Sequence, residues 1–244
     1  MKVSIIIPCF NEIYTISKII DKINQQQKKL FFLKNKVVIE IIVIDDKSSD
    51  GSRSLIKKLK RENKISKIIL NKKNFGKGYC IIEGKKIAKG EVILIQDADL
   101  EYDPKDYPKI LRKFKNQKIN VVYGSRVLNT NRYSFSSQIS LHRAFFNHVL
   151  TFISNIINFQ NLTDAHTCYK AVRRKIFNRI LLKEKGFSFC PELNTKLSNI
   201  NEKIIEVPIS YKGRSYTDGK KIKLKDGFLA LQTLIKYKFF DNEI

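Results

Sequence analysis

Short apolar runs rich in isoleucine and valine recur along the first half of the sequence and constrain its fold more than any other feature. Between them lie longer stretches in which apolar residues repeat at the spacing of one helix face. Parallel strands need a crossover, usually a helix, that returns the chain to the same end of the sheet. The alternation therefore predicts an α/β fold with a mainly parallel central sheet flanked by helices. The predicted strands are residues 3–8, 37–44, 66–70, 91–95 and 121–123.

Polar residues follow four of these predicted strands at the point where each strand ends. They occupy residues 8–12, 45–46, 97–99 and 124–126. Open parallel sheets bind their ligands beyond the carboxyl ends of the strands. We therefore expect the four segments to meet at one edge of the sheet and to form the functional site there.

Residues 127–244 lack the regular alternation of the first half, although the length of the chain favours a single domain. Two polar stretches, 128–138 and 212–223, are predicted as loops. Residues 204–209 are predicted as a strand, and Pro208 confines it to an edge or an end of the sheet because proline donates no ladder hydrogen bond. One domain, residues 1–244, is the expected organisation.

Two amphipathic helices are predicted in this second half. Residues 144–159 carry no charged side chain and place their large apolar side chains on one face. That face either packs against the sheet or a second subunit, or lies in a membrane interface. A final amphipathic helix is predicted at residues 226–240.

The chain is strongly basic, and its composition excludes an integral membrane protein, a collagen-like chain and a small disulfide scaffold. Lysine and arginine total 47 against 23 acidic residues, and 43% of the residues are hydrophobic, enough for a sizeable core. No apolar run approaches the roughly 18 residues of a membrane-spanning helix. The four scattered cysteines match neither a zinc pattern nor a disulfide framework, so we expect them to be reduced and buried in a cytoplasmic protein.

The charge distribution narrows the possible partners. A basic chain is suited to nucleic acid, an anionic membrane surface or phosphorylated ligands. No signature of RNA recognition or of a helix-turn-helix is present, so nucleic acid is not expected. Residues 91–106 interrupt the basic background with six acidic side chains and one lysine. Crowded carboxylates repel one another unless a cation lies among them, which indicates a bound cation at this segment.

Asp97, Asp99 and Glu101 are the candidate ligands for that cation. Residues two apart in an extended segment point the same way, so these carboxylates share one face. Proteins hold Mg²⁺ with one or two carboxylates, together with substrate phosphates. The alternative is a solvated strand end before a helix that begins near Pro104, where aspartate is common.

Two further segments are candidates for nucleotide contacts. Asp45 and Asp46 end a strand and either form an Asx-type turn or bind a ribose or base N–H group. Residues 74–78 form a glycine-rich turn before a helix and lack the P-loop spacing. This turn is either a tight connection or a close backbone approach to a nucleotide, with Lys77 near the diphosphate.

The order of these motifs resembles the family 2 glycosyltransferases, and among them the dolichyl-phosphate mannose synthase-like group. Each motif alone is loose, and their order and spacing together are specific. The stretches that carry the resemblance are VSIIIPCFNE (3–12), IIVIDDKSSDGS (41–52), NFGKGYCIIEGKKIAKGEVILIQDADLEYDP (74–104), VVYGSR (121–126), NLTDAHTCYKAVRR (161–174), GFSFCPELNTKL (186–197) and EVPISYKGRSYTDGKKIKLKDG (206–227).

The resemblance implies a GT-A, Rossmann-like nucleotide-sugar-binding fold, with a donor half at 1–126 and an acceptor half at 127–244. The implied nucleotide-sugar contacts are Pro8, Phe10, Asn11, Glu12, Asp46, Lys77, Asp97 and Ala98. The implied ligands of Mg²⁺ or Mn²⁺ are Asp97, Asp99 and Glu101. The implied contacts of an acceptor phosphate are Arg126, Arg143, Asn147 and Arg214. The implied catalytic residues are Asp99, Arg126 and Arg214.

The implied reaction is an inverting, metal-dependent transfer of a hexose from a nucleotide sugar to a polyprenyl phosphate of the dolichyl type. GDP-mannose is the first candidate donor and UDP-glucose the second. A phosphate monoester, with its second pKa near ~6, is largely a dianion at pH 7 and needs no general base to act as the nucleophile. The lipid tail of the acceptor implies a peripheral position on the cytoplasmic face of a membrane.

Two other functions are compatible with the residues. A family 2 enzyme that acts on a sugar hydroxyl needs a general base, for which Asp164 and Glu192 are candidates. The other possibility is a basic protein without enzymatic activity that binds a membrane or nucleic acid. His166 and Cys190 stand where the family often has an acid, and both departures bear on the acceptor side and on the identity of the sugar.

Overall fold

The structure is a computed structural model that describes residues 1–31, 36–128, 141–214 and 224–241, with the backbone alone at 31, 141–143 and 224. The predicted alternation is confirmed, and the strands begin and end within two residues of the expected positions. The elements are β1 (Lys2–Cys9), α1 (Ile16–Phe31), β2 (Val38–Asp45), α2 (Ser52–Arg61), β3 (Lys67–Leu70), α3 (Lys77–Ile87), β4 (Val92–Ile95), a 3₁₀ turn (Pro104–Asp106), α4 (Tyr107–Lys113) and β5 (Val121–Ser125).

The second half adds helices and two strands. The predicted loops at 128–138 and 212–223 lie largely outside the described residues. The final helix is interrupted at Ile235, after which the chain continues as a π-helical turn. The elements are α5 (Leu141–Asn158), β6 (Lys170–Arg173), α6 (Arg174–Arg179), α7 (Phe189–Asn199), β7 (Ile204–Pro208), α8 (Leu224–Ile235) and the π turn (Lys236–Phe240).

The strands of the described residues form one sheet in the order β3-β2-β1-β4-β6-β5-β7. All neighbouring pairs are parallel except those of β6, which runs antiparallel to both β4 and β5. The expected parallel sheet is therefore confirmed with one reversed strand inside it. β7 lies at an edge and ends at Pro208, as predicted. The carboxyl ends of β1, β2, β4 and β5 meet at one edge of the sheet.

The reversed strand β6 was not predicted because charged residues begin and end its four positions. Lys170 is nevertheless fully buried. Its Nζ donates to the carbonyl oxygen of Ala165 at 2.8 Å and lies 3.7 Å from the centre of the Tyr123 ring. Burial lowers the pKa of Lys170 to about 8, against the partial compensation of nearby acids. These tertiary partners allow a lysine in the middle of the sheet.

Of the alternatives that the sequence leaves open for helix α5, the structure does not show packing of its large apolar face on the sheet. Its small and polar residues Ala144, Thr151, Ser154 and Asn158 are the buried ones. Its large residues Phe145, Phe146, Phe152 and Ile156 are 50–60% exposed. Two hydrogen bonds serve these inward groups: the Thr151 hydroxyl accepts from the Ala165 amide at 3.3 Å, and Asn158 Nδ2 donates to Ser154 Oγ at 3.4 Å. Packing of the large apolar face against the sheet is therefore wrong.

Helix α8 and the π turn extend this exposed apolar face. Helix α8 packs against both α5 and α7. The exposed large residues of the two elements are Phe228, Leu229, Ile235, Phe239 and Phe240, and together with Phe145, Phe146, Phe152 and Ile156 of α5 they form what we call the apolar platform. No helix within the described ranges is long and apolar enough to cross a membrane.

Candidate active site

A cleft of about 720 Å³ lies at the carboxyl edge of the sheet, where the sequence predicts the site. Its floor is formed by the ends of β1, β2 and β4, and its far side by α5, α8 and the chain before α7. Acidic and basic side chains line the floor, whereas the α5 and α8 side is mainly apolar, with Asn147 and Asp226 as its polar side chains. The lining residues that the sequence predicted are Pro8, Phe10, Glu12, Asp46, Lys77, Asp97, Ala98, Asp99, Glu101, Arg126, Asn147 and Arg214.

Each aspartate that follows β4 is paired with a basic side chain. The Lys77 Nζ lies 2.5 Å from Asp97 Oδ1. The Arg214 Nη2 donates to Asp99 Oδ2 at 3.0 Å. Lys77 begins α3, whereas Arg214 comes from the far end of the chain, so both halves supply a basic partner to the acidic floor.

Arg214 also binds the other two acids of the floor. Its guanidinium donates to both carboxylate oxygens of Glu12, at 3.1 and 3.2 Å. Its backbone amide donates to Glu101 Oε1 at 2.8 Å, and the Tyr211 hydroxyl donates to Glu101 Oε2 at 3.0 Å. The chain at 211–214 is thereby fixed against the acidic floor.

The electrostatics of the floor show that its carboxylates are crowded. Burial, followed by the charges of Asp97 and Glu101, raises the pKa of Asp99 to about 7, and Arg214 opposes this only in part. For Lys77, the attraction of Asp97 outweighs the effect of burial and raises the pKa above its usual range. The crowding of the carboxylates thus favours the protonated form of Asp99.

The donor set fits a hard divalent cation only when a ligand completes it. Asp97, Asp99 and Glu101 offer the carboxylate oxygens that Mg²⁺ and Mn²⁺ prefer. Within the described part of the chain, however, no three Asp, Glu, His or Cys side chains are grouped so as to hold a metal ion. Oxygens of a bound diphosphate are the natural remaining ligands.

Asp46 contacts the glycine-rich turn from the end of β2. Its Oδ1 and Oδ2 accept hydrogen bonds from the backbone amides of Phe75 and Gly76, at 3.0 and 2.7 Å. The side-chain amide of Asn71 donates to the same carboxylate at 2.8 Å. The turn's amides thus bind the protein's own carboxylate, and Asp46 fixes the wall beside the cleft.

The segment after β1 has residues with two different roles: some line the cleft, and one contacts the chain after β2. Pro8, Phe10 and Glu12 line the cleft. Asn11 has a left-handed backbone, with φ of 52°. It exchanges hydrogen bonds with the chain after β2: its amide donates to Ser48 Oγ, and its Oδ1 accepts from the Ser49 amide. Among the described contacts, Asn11 therefore braces the turn after β2.

Arg126 forms a paired fork with Asp164. Its Nε and Nη2 donate to the two carboxylate oxygens, each at 2.7 Å, and its guanidinium lies 5.2 Å from the centre of the Tyr211 ring. Asn147 lines the cleft beside this pair. For Arg143 the structure describes only a position in the first turn of α5.

The two candidate general bases are both engaged in other contacts. Burial opposes ionisation of Asp164, but the Arg126 guanidinium outweighs it and lowers the carboxyl pKa. Glu192 is fully buried, accepts the amides of Lys183 and Glu184, and has its pKa raised by that burial. Neither lines the cleft. This arrangement does not favour deprotonation of a hydroxyl acceptor by either residue.

His166 and the cysteines form an uncharged part of the lining. Burial, followed by the charge of Lys170, lowers the pKa of His166 to about 4, so its imidazole is neutral near pH 7. All four cysteines are free and buried, as predicted, and all four line the cleft. Burial raises the pKa of the Cys80, Cys168 and Cys190 thiols, which keeps them protonated. These groups contribute shape and weak polarity to the cleft.

Sequence reasoning missed residues that only tertiary contacts bring to the cleft. Tyr102 and Tyr211 line it, and their rings contact edge to face with centroids 5.2 Å apart. Phe187 lines it from the chain before α7. They lie in stretches that carry the family resemblance, but no local periodicity assigns them to the cleft, since each comes from an irregular segment placed by its neighbours.

The far side of the cleft is apolar and belongs to the helices of the platform. Val149, Leu150 and Ile153 of α5 face Phe228 and Leu231 of α8. Phe146 belongs both to this wall and to the exposed platform. The cleft is therefore continuous from the carboxylate floor to the apolar surface of the protein.

Comparison with known proteins identifies relatives that cover the whole chain. The chain is 26% identical over 249 residues to a dolichol-phosphate mannosyltransferase of Pyrococcus furiosus, with 100% of this chain and 66% of the relative covered. It is 26% identical over 226 residues to an undecaprenyl-phosphate 4-deoxy-4-formamido-L-arabinose transferase of Proteus mirabilis, with 92% and 64% covered. The chain thus spans less than two thirds of the length of these curated relatives.

A comparison of structures and a family model agree with this likeness. Glucosyl-3-phosphoglycerate synthase of Mycobacterium tuberculosis, solved with Mn²⁺, uridine diphosphate and glucosyl-3-phosphoglycerate, aligns with a TM-score of 0.68 at 15% identity. The alignment covers 97% of this chain and 80% of that one, and it confirms the GT-A fold. Residues 4–181 match the family model described as Glycosyl transferase family 2. The chain therefore belongs to glycosyl transferase family 2.

Proposed function

We propose that the chain transfers a hexose from a nucleotide sugar to a polyprenyl phosphate, with a divalent metal ion and with inversion at the sugar. The observation that carries this proposal is the continuity of one cleft from a carboxylate floor to an apolar wall. A nucleotide diphosphate needs the first surface and a lipid chain needs the second. The names of two curated relatives, which refer to dolichol and undecaprenyl phosphate, support the same class of acceptor.

The donor is proposed to bind over the floor at the ends of β1, β2 and β4. Asp97, Asp99 and Glu101 would hold Mg²⁺ or Mn²⁺ together with the diphosphate, and the ion would neutralise charge on the leaving group. Lys77 and Arg214 add two positive charges beside the same oxygens. The segment Pro8–Glu12, Asp46 and Ala98 would enclose the nucleotide.

The acceptor phosphate is proposed to bind near Arg126, with Arg214, Asn147 and Arg143 as further contacts. The planar fork of arginine matches the oxygens of a phosphate. A phosphate monoester is already nucleophilic at pH 7, so the reaction needs no general base. The engaged states of Asp164 and Glu192 support this route over one that uses a sugar hydroxyl.

The lipid chain is proposed to leave the cleft between α5 and α8 and to enter a membrane next to the apolar platform. Exposed phenylalanines of this kind bury their rings in the interface of a bilayer. Lys225, Lys236 and Lys238 lie on the same two elements and would contact anionic headgroups. We place the reaction at the cytoplasmic face, since free buried cysteines fit a reducing compartment.

A matrix of donors and acceptors tests the proposal. GDP-mannose, UDP-glucose and further nucleotide sugars are each incubated with a polyprenyl phosphate or a free sugar acceptor, with Mg²⁺, Mn²⁺ or EDTA. The expected product is a polyprenyl-phosphate sugar formed only with a metal ion, with mannose from GDP-mannose as the first candidate. We expect the product to have the inverted anomeric configuration.

The same matrix distinguishes the alternatives. Transfer to a free sugar, lost on Asp164→Asn or Glu192→Gln, would favour the hydroxyl route and contradict the polyprenyl proposal. Absence of any nucleotide-sugar binding in the presence of Mn²⁺ would favour a basic protein without enzymatic activity. Unimpaired transfer in EDTA would remove the metal from the proposal.

A further inference from the structure

Glu192 holds the chain segment that precedes α7. The side chain is completely buried, and its two carboxylate oxygens accept consecutive backbone amides, Lys183 N at 2.7 Å and Glu184 N at 2.8 Å. Lys196, one turn further along α7, lies 3.5 Å from the same carboxylate. The segment 183–186, which we call the strap, is therefore anchored to α7 by one side chain.

The strap in turn holds the amino end of α3. The amides of Gly78 and Tyr79 donate to the carbonyl oxygens of Gly186 and Lys185, at 3.2 and 3.0 Å. The backbones approach so closely that a Cβ added at Gly78 would clash with the Glu184 carbonyl oxygen. The strap thus takes the place of a side-chain cap at this helix, which has none.

The end of α3 that the strap holds is also the donor wall of the cleft. Lys77, the first residue of α3, pairs with Asp97 on the floor. Asp46 holds the other side of the same turn through the Gly76 amide. The backbone that carries Lys77 is therefore held by two carboxylates, Asp46 and Glu192. Of these, Glu192 lies outside the cleft.

Glu206 makes the same kind of contact on the acceptor wall. It lies on β7, and its carboxylate oxygens accept the consecutive amides of Thr163 at 2.7 Å and Asp164 at 3.0 Å. Asp164 forms the fork with Arg126, at 2.7 Å for each of the two bonds. Glu206 is thus connected to Arg126 through one loop and one ion pair.

We propose that Glu192 and Glu206 are positioning residues for the two substrates of the transfer, Glu192 for the nucleotide sugar and Glu206 for the acceptor phosphate. Each accepts hydrogen bonds from a pair of consecutive amides in a segment that supports a wall of the cleft, and neither glutamate lines the cleft itself. The proposal rests on the proposed function, because it assigns one wall to the donor and the other to the acceptor.

Only a carboxylate can accept both amides of such a pair. Glutamine has the same shape but one acceptor oxygen, and its NH₂ group would face an N–H donor. Each Glu→Gln variant therefore loosens one wall while it keeps the size of the side chain. Loss of one hydrogen bond to a charged acceptor corresponds to roughly tenfold in an equilibrium constant.

Steady-state kinetics of Glu192→Gln and Glu206→Gln, with the wild type beside them, test the proposal. For Glu192→Gln we expect about a tenfold higher KM for the nucleotide sugar and an unchanged KM for the polyprenyl phosphate. For Glu206→Gln we expect the opposite pattern, so each variant is the control for the other. A purely structural role would lower the amount of folded enzyme and leave both KM values unchanged.

A glycine pair within α3 gives a second test that does not depend on Glu192. Gly78→Ala pushes against the strap, whereas Gly84→Ala pushes against Ile6 in the core, 2.7 Å from the added Cβ. Both changes crowd the same helix by the same methyl group. We expect Gly78→Ala alone to weaken binding of the donor, measured by titration of the folded protein with the nucleotide sugar and Mn²⁺.

The outcomes separate this proposal from the proposed function. If the wild type is active and each Glu→Gln variant changes both KM values alike, or changes neither, the positioning roles are overturned. The proposed function would still stand. Equal effects of Gly78→Ala and Gly84→Ala on donor binding would also overturn the positioning role of Glu192. A wild type that transfers no sugar to a polyprenyl phosphate would overturn the function itself.

Discussion

The two sides of the cleft differ in the kind of side chain that lines them. The floor consists of short strand ends whose half-buried aspartates pair with Lys77 and Arg214. The far side consists of helices α5 and α8, whose large apolar residues lie in the cleft or are exposed at the surface. The floor has charged side chains held in defined pairs, and the far side has mainly apolar area.

This difference suits the two unlike ligands of the proposed function, a diphosphate and a lipid chain. A diphosphate requires charges held in place before it binds, because oriented charges act strongly in a site that excludes water. A lipid chain requires only continuous apolar area, since the hydrophobic effect has no direction. Helix α5 meets the second requirement by burying its small polar face and turning its phenylalanines outward.

The floor should respond most strongly to mutation. Asp97→Asn or Asp99→Asn removes a charge from the proposed metal site, and we expect turnover to fall by at least about a hundredfold while the fold is kept. Turnover with GDP-mannose or UDP-glucose and circular dichroism are the measurements. Asp103→Asn is the matched control, because Asp103 belongs to the same acidic segment but pairs with Lys22 at 2.9 Å. An active Asp97→Asn/Asp99→Asn double variant would contradict the metal assignment.

Arg126, between the two sides, should respond next. Lysine cannot reproduce the two-pronged contact with Asp164 or with a phosphate, so Arg126→Lys should raise the acceptor KM by about thirtyfold. The donor KM should stay near its wild-type value. Arg112→Lys, an exposed change on α4, controls for the loss of a guanidinium. Equal effects on both substrates would contradict the assignment of Arg126 to the acceptor.

The apolar platform should show a smaller effect, visible in membrane binding. Phe152 is 60% exposed, and burial of a phenylalanine ring in a bilayer interface contributes about 1.5 kcal/mol or more, so Phe152→Ser should weaken binding to anionic vesicles roughly tenfold. Vesicle co-sedimentation measures this. Val38→Ser is the control, since Val38 is 44% exposed at the amino end of β2, away from the cleft. Equal losses in both variants would contradict docking through the platform.

The smallest expected effect is a dependence of donor binding on pH. Burial and the neighbouring acids raise the pKa of Asp99 to about 7, so the carboxyl group is mostly protonated at pH 6 and mostly ionised at pH 8. A metal ion binds the ionised form, and donor binding with Mn²⁺ should therefore strengthen severalfold over this interval. In the ligand-free protein the same shift lowers folding stability as pH rises from about 4 to 7.

Calorimetric titration with the donor and Mn²⁺ at pH 6, 7 and 8 measures the first effect. Thermal unfolding of the free protein between about pH 4 and 7 measures the second. Donor affinity that stays constant between pH 6 and 8 would show that Asp99 is ionised throughout. Arg214 would then stabilise the negative charge of Asp99 more strongly than its contacts indicate.

Elements with a regular hydrophobic pattern could be predicted from the sequence, and features without one could not. The run VSIIIP and the helix spacing of Ile16, Ile19, Ile20 and Ile23 report burial directly, so β1 and α1 could be recognised locally. Strand β6 could not, because Lys170 is acceptable in the sheet only through Ala165, Asn194 and Tyr123. The outward face of α5 could not either, since periodicity reveals an apolar stripe but not the side that is buried.

The sequence by itself determined the alternation of strands and helices, the carboxyl edge as the place of the cleft and the acidic residues that follow the strands there. Each of these follows from local patterns that repeat along the chain. Only the tertiary structure decided which acids pair with which bases, for example Arg214 with Glu12 and Asp99. It also decided which carboxylates bind the backbone amides of the segments behind the walls of the cleft. Such contacts join residues far apart in the chain, and no local pattern specifies them.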